Sequence, residues 1–596
     1  MRLIDFASIY LNGSLGLFLI FVLPGILFVS VFSIANFPQR WLVVLLSSLV
    51  ANHLLVTIVA SFHLSPVYTY RVATAVLAGG IFVMIIFGKY ITPTTVLPRQ
   101  SVIRLADALW MIASLALLCF TYADVWRYGV PNIFQGSDVS VSWNPWSLTW
   151  SKGIFPTGSY GYPQFVPTIW SLTYVFTGST AQYFAYYTYI VFIVAPVVLT
   201  AAVLARVNWL YAISFLFLFA RFVGAIHEPW LRSTLQEGFP DWIAAISVFC
   251  GTALFLANAP AGRFDTEKVI TALASLCLVS IAATTKAIYG LFAVTILIAL
   301  CVDAARYLET SQRNKVIISA IGLVAAFAAA YAIYYSHLAV RSMPYYPVAA
   351  LSDRISGAIK LLNSTFTIPC RIIFFLGLAI SPFLPHVRWL ALPLLTATLL
   401  WASTASYDLR NLLGVLLIAA LIPPYSLIRW LSTNRVDSNS RRQWYILDGA
   451  VGISLALLCI LLTLPLALDD EKLERRFAEE QLSKGLGIEL NEPIGRLLAR
   501  GCRIFSANGY IHTVTAFQPY RQQMEFFNFV QPLTDVMIGQ LSRSTGCTGI
   551  MYPPDRTNPS ISAFIHEQSI SRGYSKIVEH NGMVLLVSSG GAPAPN

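Results

Sequence analysis

The sequence predicts a polytopic α-helical membrane protein with about fourteen transmembrane helices, followed by a small C-terminal α/β domain. Three observations predict it. Hydrophobic residues make up 57% of the 596 residues and charged residues 11%, and mean hydropathy is +0.67. Soluble domains carry roughly 25% charged residues, so this chain has too few to cover a globular surface. Apolar stretches long enough to span a bilayer fill most of the length. Beyond about Leu468 the character changes to charged helix and short apolar strands.

In chain order the apolar runs are 14–34, 41–62, 71–88, 105–123, 183–205, 208–225, 241–258, 268–284, 287–303, 316–335, 370–384, 389–404, 411–428 and 445–467. The first, Gly16 to Ser33, lacks a basic flank and a small-residue cleavage site, so it is expected to stay as a span. The loops between runs fall into two alternating sets. One holds Arg40, Lys89, Arg99, Arg104, Arg206, Arg263, Lys268, Arg306, Arg313, Lys315, Arg388, Arg429, Arg435, Arg441 and Arg442. The positive-inside rule assigns that set to the cytoplasm. Both termini and the C-terminal domain are then expected outside, on the periplasmic face of a cytoplasmic (inner) membrane. The net charge of +11 therefore reports membrane orientation, and nucleic acid is excluded as a partner. No Walker A or Rossmann glycine pattern occurs, which removes support for ATP-driven transport.

Three divisions are expected: helices in 1–104, a transmembrane body over 105–467, and the soluble domain over 468–596. Two outside loops, 124–182 and 336–369, exceed what a connection needs, and loops of that length usually carry function. The first holds Trp126, Trp143, Trp146, Trp150 and Trp170. Trp143, Trp146 and Trp150 have helical spacing that suits either lipid headgroups or stacking on a sugar ring. Tyr162–Phe176 is apolar enough to lie along the membrane surface.

In the last domain, strands are predicted at Arg503–Ser506, Gly549–Tyr552 and Val584–Ser588, and a helix at Pro532–Leu541. Asn581-Gly582 between Lys576–Glu579 and Met583–Val587 predicts a hairpin. Six of the eight cysteines lie in or beside apolar runs and read as small buried apolar residues. Cys502 and Cys547 lie in the C-terminal domain, where a disulfide is the expectation if that domain faces an oxidising compartment.

Four outside segments carry candidate chemistry. Asp138 stands early in the first long loop, where a carboxylate suits either a general base for an acceptor hydroxyl or a helix cap. Glu237-Gly238-Phe239-Pro240-Asp241 brings acids to the start of a span; Asp241 is read as a cap or as a carboxylate in the same external cavity. Lys286, wedged between two runs, is a functional candidate by its depth, with an anion such as phosphate as partner; snorkelling competes. Arg410 either pairs with Asp408 or binds phosphate bidentately. Arg341 and Arg354 add positive charge from the second long loop.

The order of these segments resembles the GT-C superfamily of membrane glycosyltransferases. The motifs are an early Asp in a long outside loop, then Trp143-Asn144-Pro145-Trp146 through Pro156, Tyr162-Pro163-Gln164-Phe165-Val166-Pro167, Gly238-Phe239-Pro240-Asp241, Thr285-Lys286 and Asp408-Leu409-Arg410-Asn411. They cover about 105–430. The resemblance implies inverting transfer of a sugar from a polyprenyl-phosphate lipid donor to a hydroxyl of an envelope acceptor (glycan, lipid or protein). It makes Asp138 the catalytic base. Asp241, Glu237, Trp143 and Trp146 fall on the acceptor or supporting side, and Lys286, Arg410, Arg341 and Arg354 on the donor phosphate. The departures are three preceding spans and one first-loop Asp in place of an acidic pair. No cofactor is expected; a single acid offers few ligands, which leaves a divalent metal open but unsupported. A ligase or polymerase moving a whole lipid-linked glycan is the alternative, with His337 and Arg341 beside the second loop. A transporter would need inverted repeats and polar residues at mid-depth. Neither is seen, and Arg221, the main charge within a span, suits snorkelling or a pair with Asp241.

Overall fold

The computed structural model describes residues 3–31, 34, 36–91, 105–121, 134, 138–180, 182–224, 234–235, 238–258, 266–339, 351–366, 368–385, 387–404, 408–433, 488–507, 517, 520, 523–526, 546–580 and 582–588. Two units emerge. The first comprises 1–130, 146–179 and 184–466; the second comprises 131–145, 180–183 and 467–596.

Each apolar run is helical over most of its described residues, and 445–467 lies outside them. Among the described residues, eight helices are long and apolar enough to cross a membrane, and four shorter apolar helices accompany them. Four helices open the chain: α1 (Leu3–Phe21), α2 (Leu23–Val31), α3 (Phe37–Ser61) and α4 (Pro66–Ile91). The break between α1 and α2 has a local cause. Pro24 has no N–H to offer the Ile20 carbonyl four residues back, and the buried Asn52 amide of α3 donates to Ile20 at 3.2 Å and to Leu19 at 3.1 Å instead.

Helix α5 (Leu105–Thr121) follows, then α6 (Asn144–Trp150), α7 (Phe165–Thr177), α8 (Tyr183–Val207) and α9 (Trp209–Gly224). Arg206 of α8 forms a bidentate pair with buried Asp107 of α5. Helix α7 corrects an expectation: it is not a surface helix. Every residue but Phe176 is buried, and α7 packs on α1 and α3. It carries no charged residue, and its four Ser and Thr hydroxyls bond back to carbonyls of the same helix, so it can be buried on all sides.

The centre of the unit is α10 (Pro240–Asn258), buried along almost its whole length. It lies close against α11 (Thr266–Ala283). Gly251 permits that approach: a Cβ there would meet Val279 at 2.6 Å and the Ser275 carbonyl at 2.8 Å. The Ser275 hydroxyl donates to the Gly251 carbonyl at 2.6 Å. After a 3₁₀ turn at Ala287–Tyr289 come α12 (Gly290–Tyr307), α13 (Thr310–Ser336), α14 (Leu351–Thr365), α15 (Ile368–Ile380), α16 (Arg388–Thr404), a 3₁₀ turn at Leu409–Leu412 and α17 (Leu413–Thr433). The wholly apolar face of α17 packs against α10 and α15.

The second unit contains a five-stranded sheet ordered β2-β1-β3-β5-β4, from β1 (Arg503–Ser506), β2 (Met524–Phe526), β3 (Thr548–Tyr552), β4 (Ser575–His580) and β5 (Met583–Ser588). β1 pairs in parallel with β2 and β3; β5 pairs antiparallel with β3 and β4. Alternate residues of each strand serve opposite faces. Ile504 and Leu585 pack with Leu490, Ile494 and Leu498 of α18 (Ile488–Ala499). Phe505 and Ile550 pack with Ile561 and Ile565 of α19 (Pro559–Arg572). Cys502 and Cys547 form a disulfide just before β1 and β3. The expected helix at 532–541 lies outside the described residues.

Candidate functional site

Three helix starts meet at one end of the first unit. α10 begins at Pro240, whose missing N–H costs nothing at a first helical position, with Asp241 in its first turn. The chain leaves α11 through Thr284 and Thr285 and re-enters helix after Lys286, which has extended backbone (φ −141°, ψ 116°). The third start is capped by Asp408, whose carboxylate accepts the Arg410 backbone N–H at 3.0 Å. Backbone N–H groups left open at such ends favour anions nearby.

The side chains at these starts form one ionic cluster. Lys286 Nζ lies 2.6 Å from Asp241 Oδ1 and donates to Asn411 Oδ1 at 3.0 Å. Asp241 is 3% exposed. Burial drives the Lys286 ammonium pKa down, but the Asp241 carboxylate outweighs it, helped by Tyr162 and Asp408, and holds it above the usual lysine value. Arg410 Nη2 and Nε contact Asp408 Oδ2 at 2.7 and 2.9 Å. Its guanidinium also sits 4.4 Å over the Phe239 ring, a cation–π contact. Behind the cluster, buried Tyr289 accepts the Gly414 N–H at 3.2 Å. A Cβ on Gly414 would come 2.8 Å from that hydroxyl, so glycine is what lets α17 start here.

Asp241, Lys286 and Arg410 are therefore brought together, as the order of the motifs implied. Arg410 pairs with Asp408, one of its two expected partners. Asp241 pairs with Lys286, a pair that was not expected; the side chain of Arg221, its expected partner, lies outside what is described. Lys286 and Arg410 each face a carboxylate, so among the described residues these four side chains form two ion pairs.

Asp138 belongs to the second unit, is exposed, and precedes a π-helical turn at Val139–Trp143 without capping it. Trp143 is buried. Trp146 rests against Tyr162, ring centres 5.9 Å apart. Arg354 donates to the Ser403 carbonyl at the end of α16. Glu237 and Arg341 lie outside the described residues. His337 stacks flat on Phe155 at 4.2 Å, and its Nδ1 is 2.8 Å from the Ile333 carbonyl. Asn411, Tyr289 and Phe239 were not singled out as site residues from sequence, although each lies within three residues of one that was. Among the described residues no three His, Cys, Asp or Glu side chains gather as metal ligands.

No protein-family model matches the chain. No curated protein matches its sequence. Among solved structures it is similar to the crystal structure of ArnT from Cupriavidus metallidurans in the apo state. Identity is 9%, the TM-score is 0.45, and the match covers 82% of this chain and 99% of that one.

Proposed function

We propose that this chain is an inverting membrane glycosyltransferase of the GT-C type. It moves a sugar from a polyprenyl-phosphate lipid to a hydroxyl of an envelope acceptor at the outer face of the cytoplasmic membrane. The observation that supports this reading best is the meeting of Lys286, Arg410 and Asp241 at three helix starts, at the end of a bundle of apolar helices. A lipid-linked phosphate needs cations at that depth, because charge builds on it as the glycosidic bond breaks. Fixed cations aimed at developing charge are among the strongest catalytic devices known. Asp241 keeps Lys286 charged in an otherwise dry setting, and Asp408 sets the direction of the Arg410 fork. Asp138 is the proposed base that takes the acceptor proton, the role that a single-displacement, inverting transfer requires of one carboxylate. The Cys502–Cys547 disulfide fits a C-terminal domain in an oxidising compartment.

The test uses purified full-length protein in proteoliposomes with a radiolabelled polyprenyl-phosphate sugar and envelope extract as acceptor. Lys286→Met and Arg410→Met are each expected to slow transfer by about 10²–10³-fold, and Asp138→Asn by about 10²–10⁴-fold. Transfer at the wild-type rate in Lys286→Met and Arg410→Met removes the phosphate role. A wild-type rate in Asp138→Asn removes the base.

A further inference from the structure

His53 of α3 is the one buried histidine among the described residues whose surroundings are wholly neutral. Its Nδ1 lies 2.7 Å from Thr168 Oγ1, and its ring lies against Phe165 and Phe327. The direction of that hydrogen bond follows from proton accounting. The single hydroxyl hydrogen of Thr168 is directed to the Phe165 carbonyl at 2.6 Å, so His53 Nδ1 is the donor and Nε2 keeps the lone pair. The cavity beside the ring, about 10 Å3, is also lined by Thr57, Trp150, Gln164, Tyr331 and Tyr334.

Four of the polar side chains around that cavity, those of Trp150, Gln164, Tyr331 and Tyr334, tie down the first long loop. Tyr331 donates to the Gly161 carbonyl at 2.9 Å. Ser159 spends its hydrogen on Pro156 at 2.6 Å, so Tyr334 donates to Ser159. Gln164 accepts from Trp150 Nε1 at 3.1 Å and donates to the Tyr162 carbonyl at 2.8 Å. The loop then reaches the ionic cluster: the Phe165 N–H donates to the Thr284 carbonyl at 3.2 Å, two residues before Lys286.

We infer that His53 is a positioning residue: by donating to Thr168 it holds the 156–168 segment against the turn that carries Lys286. The inference rests on the functional reading of Lys286 given above. The Asp241–Lys286 pair needs that turn in place, and α3 supplies the fixed side of the clamp.

Amine labelling tests it on full-length protein in lipid nanodiscs. Acetic anhydride is the probe, and mass spectrometry gives the ratio of Lys286 to exposed Lys315 acetylation. His53→Phe keeps the ring volume and loses the donor, and it should raise the ratio several-fold. His53→Asn keeps an amide donor near the Nδ1 position and should keep the wild-type ratio. Thr168→Val should match His53→Phe, and the double variant should add nothing. An unchanged ratio in His53→Phe, or His53→Asn behaving like His53→Phe, overturns the inference. If His53→Phe does not fold, Thr168→Val against Thr168→Ser decides in the same way. Labelling needs no sugar transfer, so loss of the glycosyltransferase reading leaves this result interpretable, and the reverse also holds.

Discussion

Lys286 illustrates what a single residue costs at membrane depth. Its ammonium is largely buried, and the Asp241 carboxylate against it is the main group that keeps it charged. Removing one half of a buried pair leaves an uncompensated charge and costs about 3–5 kcal/mol, whereas an apolar replacement of both halves is often near neutral. Asp241→Leu or Lys286→Leu alone should therefore lower the thermal midpoint in detergent more than the double variant does. A double variant at least as unstable as the worse single one would show that the pair is a net stabiliser. The pH sign follows from the same balance. With the folded pKa raised, the pair's contribution is complete below the ordinary lysine value and fades as pH rises through the higher folded one. In Asp241→Asn burial acts without that opposing charge, so Lys286 should lose its proton at lower pH. Acetylation of Lys286 against pH reads this directly, and a profile unmoved from wild type would contradict it. Lys286, Arg410 and Asp241 were legible in the sequence because ionisable groups flanked by apolar runs are rare. Their pairing was not legible: Asp241 and Lys286 are brought together only by the packing of α10 on α11, which no local spacing encodes.

At the scale of elements, the C-terminal sheet shows which signals are local. The Gly582 hairpin came through as read, with His580 opposite Met583 and Gly582 at φ +73°, because a two-residue turn and its flanking strands are encoded within a dozen residues. β1 spans Arg503–Ser506, the bounds that its short apolar run predicts. β2, three residues long, carries too short a pattern to stand out, and its place at the sheet edge depends on β1. Two predictions belong here. The disulfide closes a separation of 45 residues; by chain entropy alone a loop of that length contributes about 4 kcal/mol. Reduction should lower the denaturant midpoint of this domain's unfolding accordingly, and an unchanged midpoint would mean the bridge is not formed. Glu525 of β2 sits beside Arg503 of β1 at 3.2 Å. Burial raises its pKa and Arg503 pulls the other way, the net being upward from 4.5. The folded domain then holds that proton more tightly than the unfolded chain. Its contribution is full below the ordinary value and is lost as pH rises through the raised one. Hydrogen-exchange protection of β1, corrected for intrinsic rates, should decline over that interval in the wild type and stay flatter in Glu525→Gln.

For the whole molecule, the N-terminal helices matter most, because hydropathy alone makes them look like spans placed ahead of a catalytic body. Their interior faces are polar in a specific way. Gln39 of α3 donates to the Glu267 carbonyl at 2.6 Å and to Thr271 Oγ1 at 2.9 Å at the start of α11, and His53 reaches Thr168 of α7. One helix is thus joined by hydrogen bonds to both flanks of the ionic cluster's supports, and α1 covers the face of α7. In a bilayer, lipid replaces the apolar contacts of a lost helix at little cost, but it offers no hydrogen bonds. Deleting 1–104 would take the His53 ring from Thr168 and the Gln39 amide from Thr271 and the Glu267 carbonyl. Co-expressing 1–104 and 105–596 as separate chains should restore a folded protein, whereas 105–596 alone should yield little monodisperse material in size-exclusion chromatography. Well-behaved, transfer-active 105–596 would show that α3 is dispensable and that α7 and α11 hold their places without it.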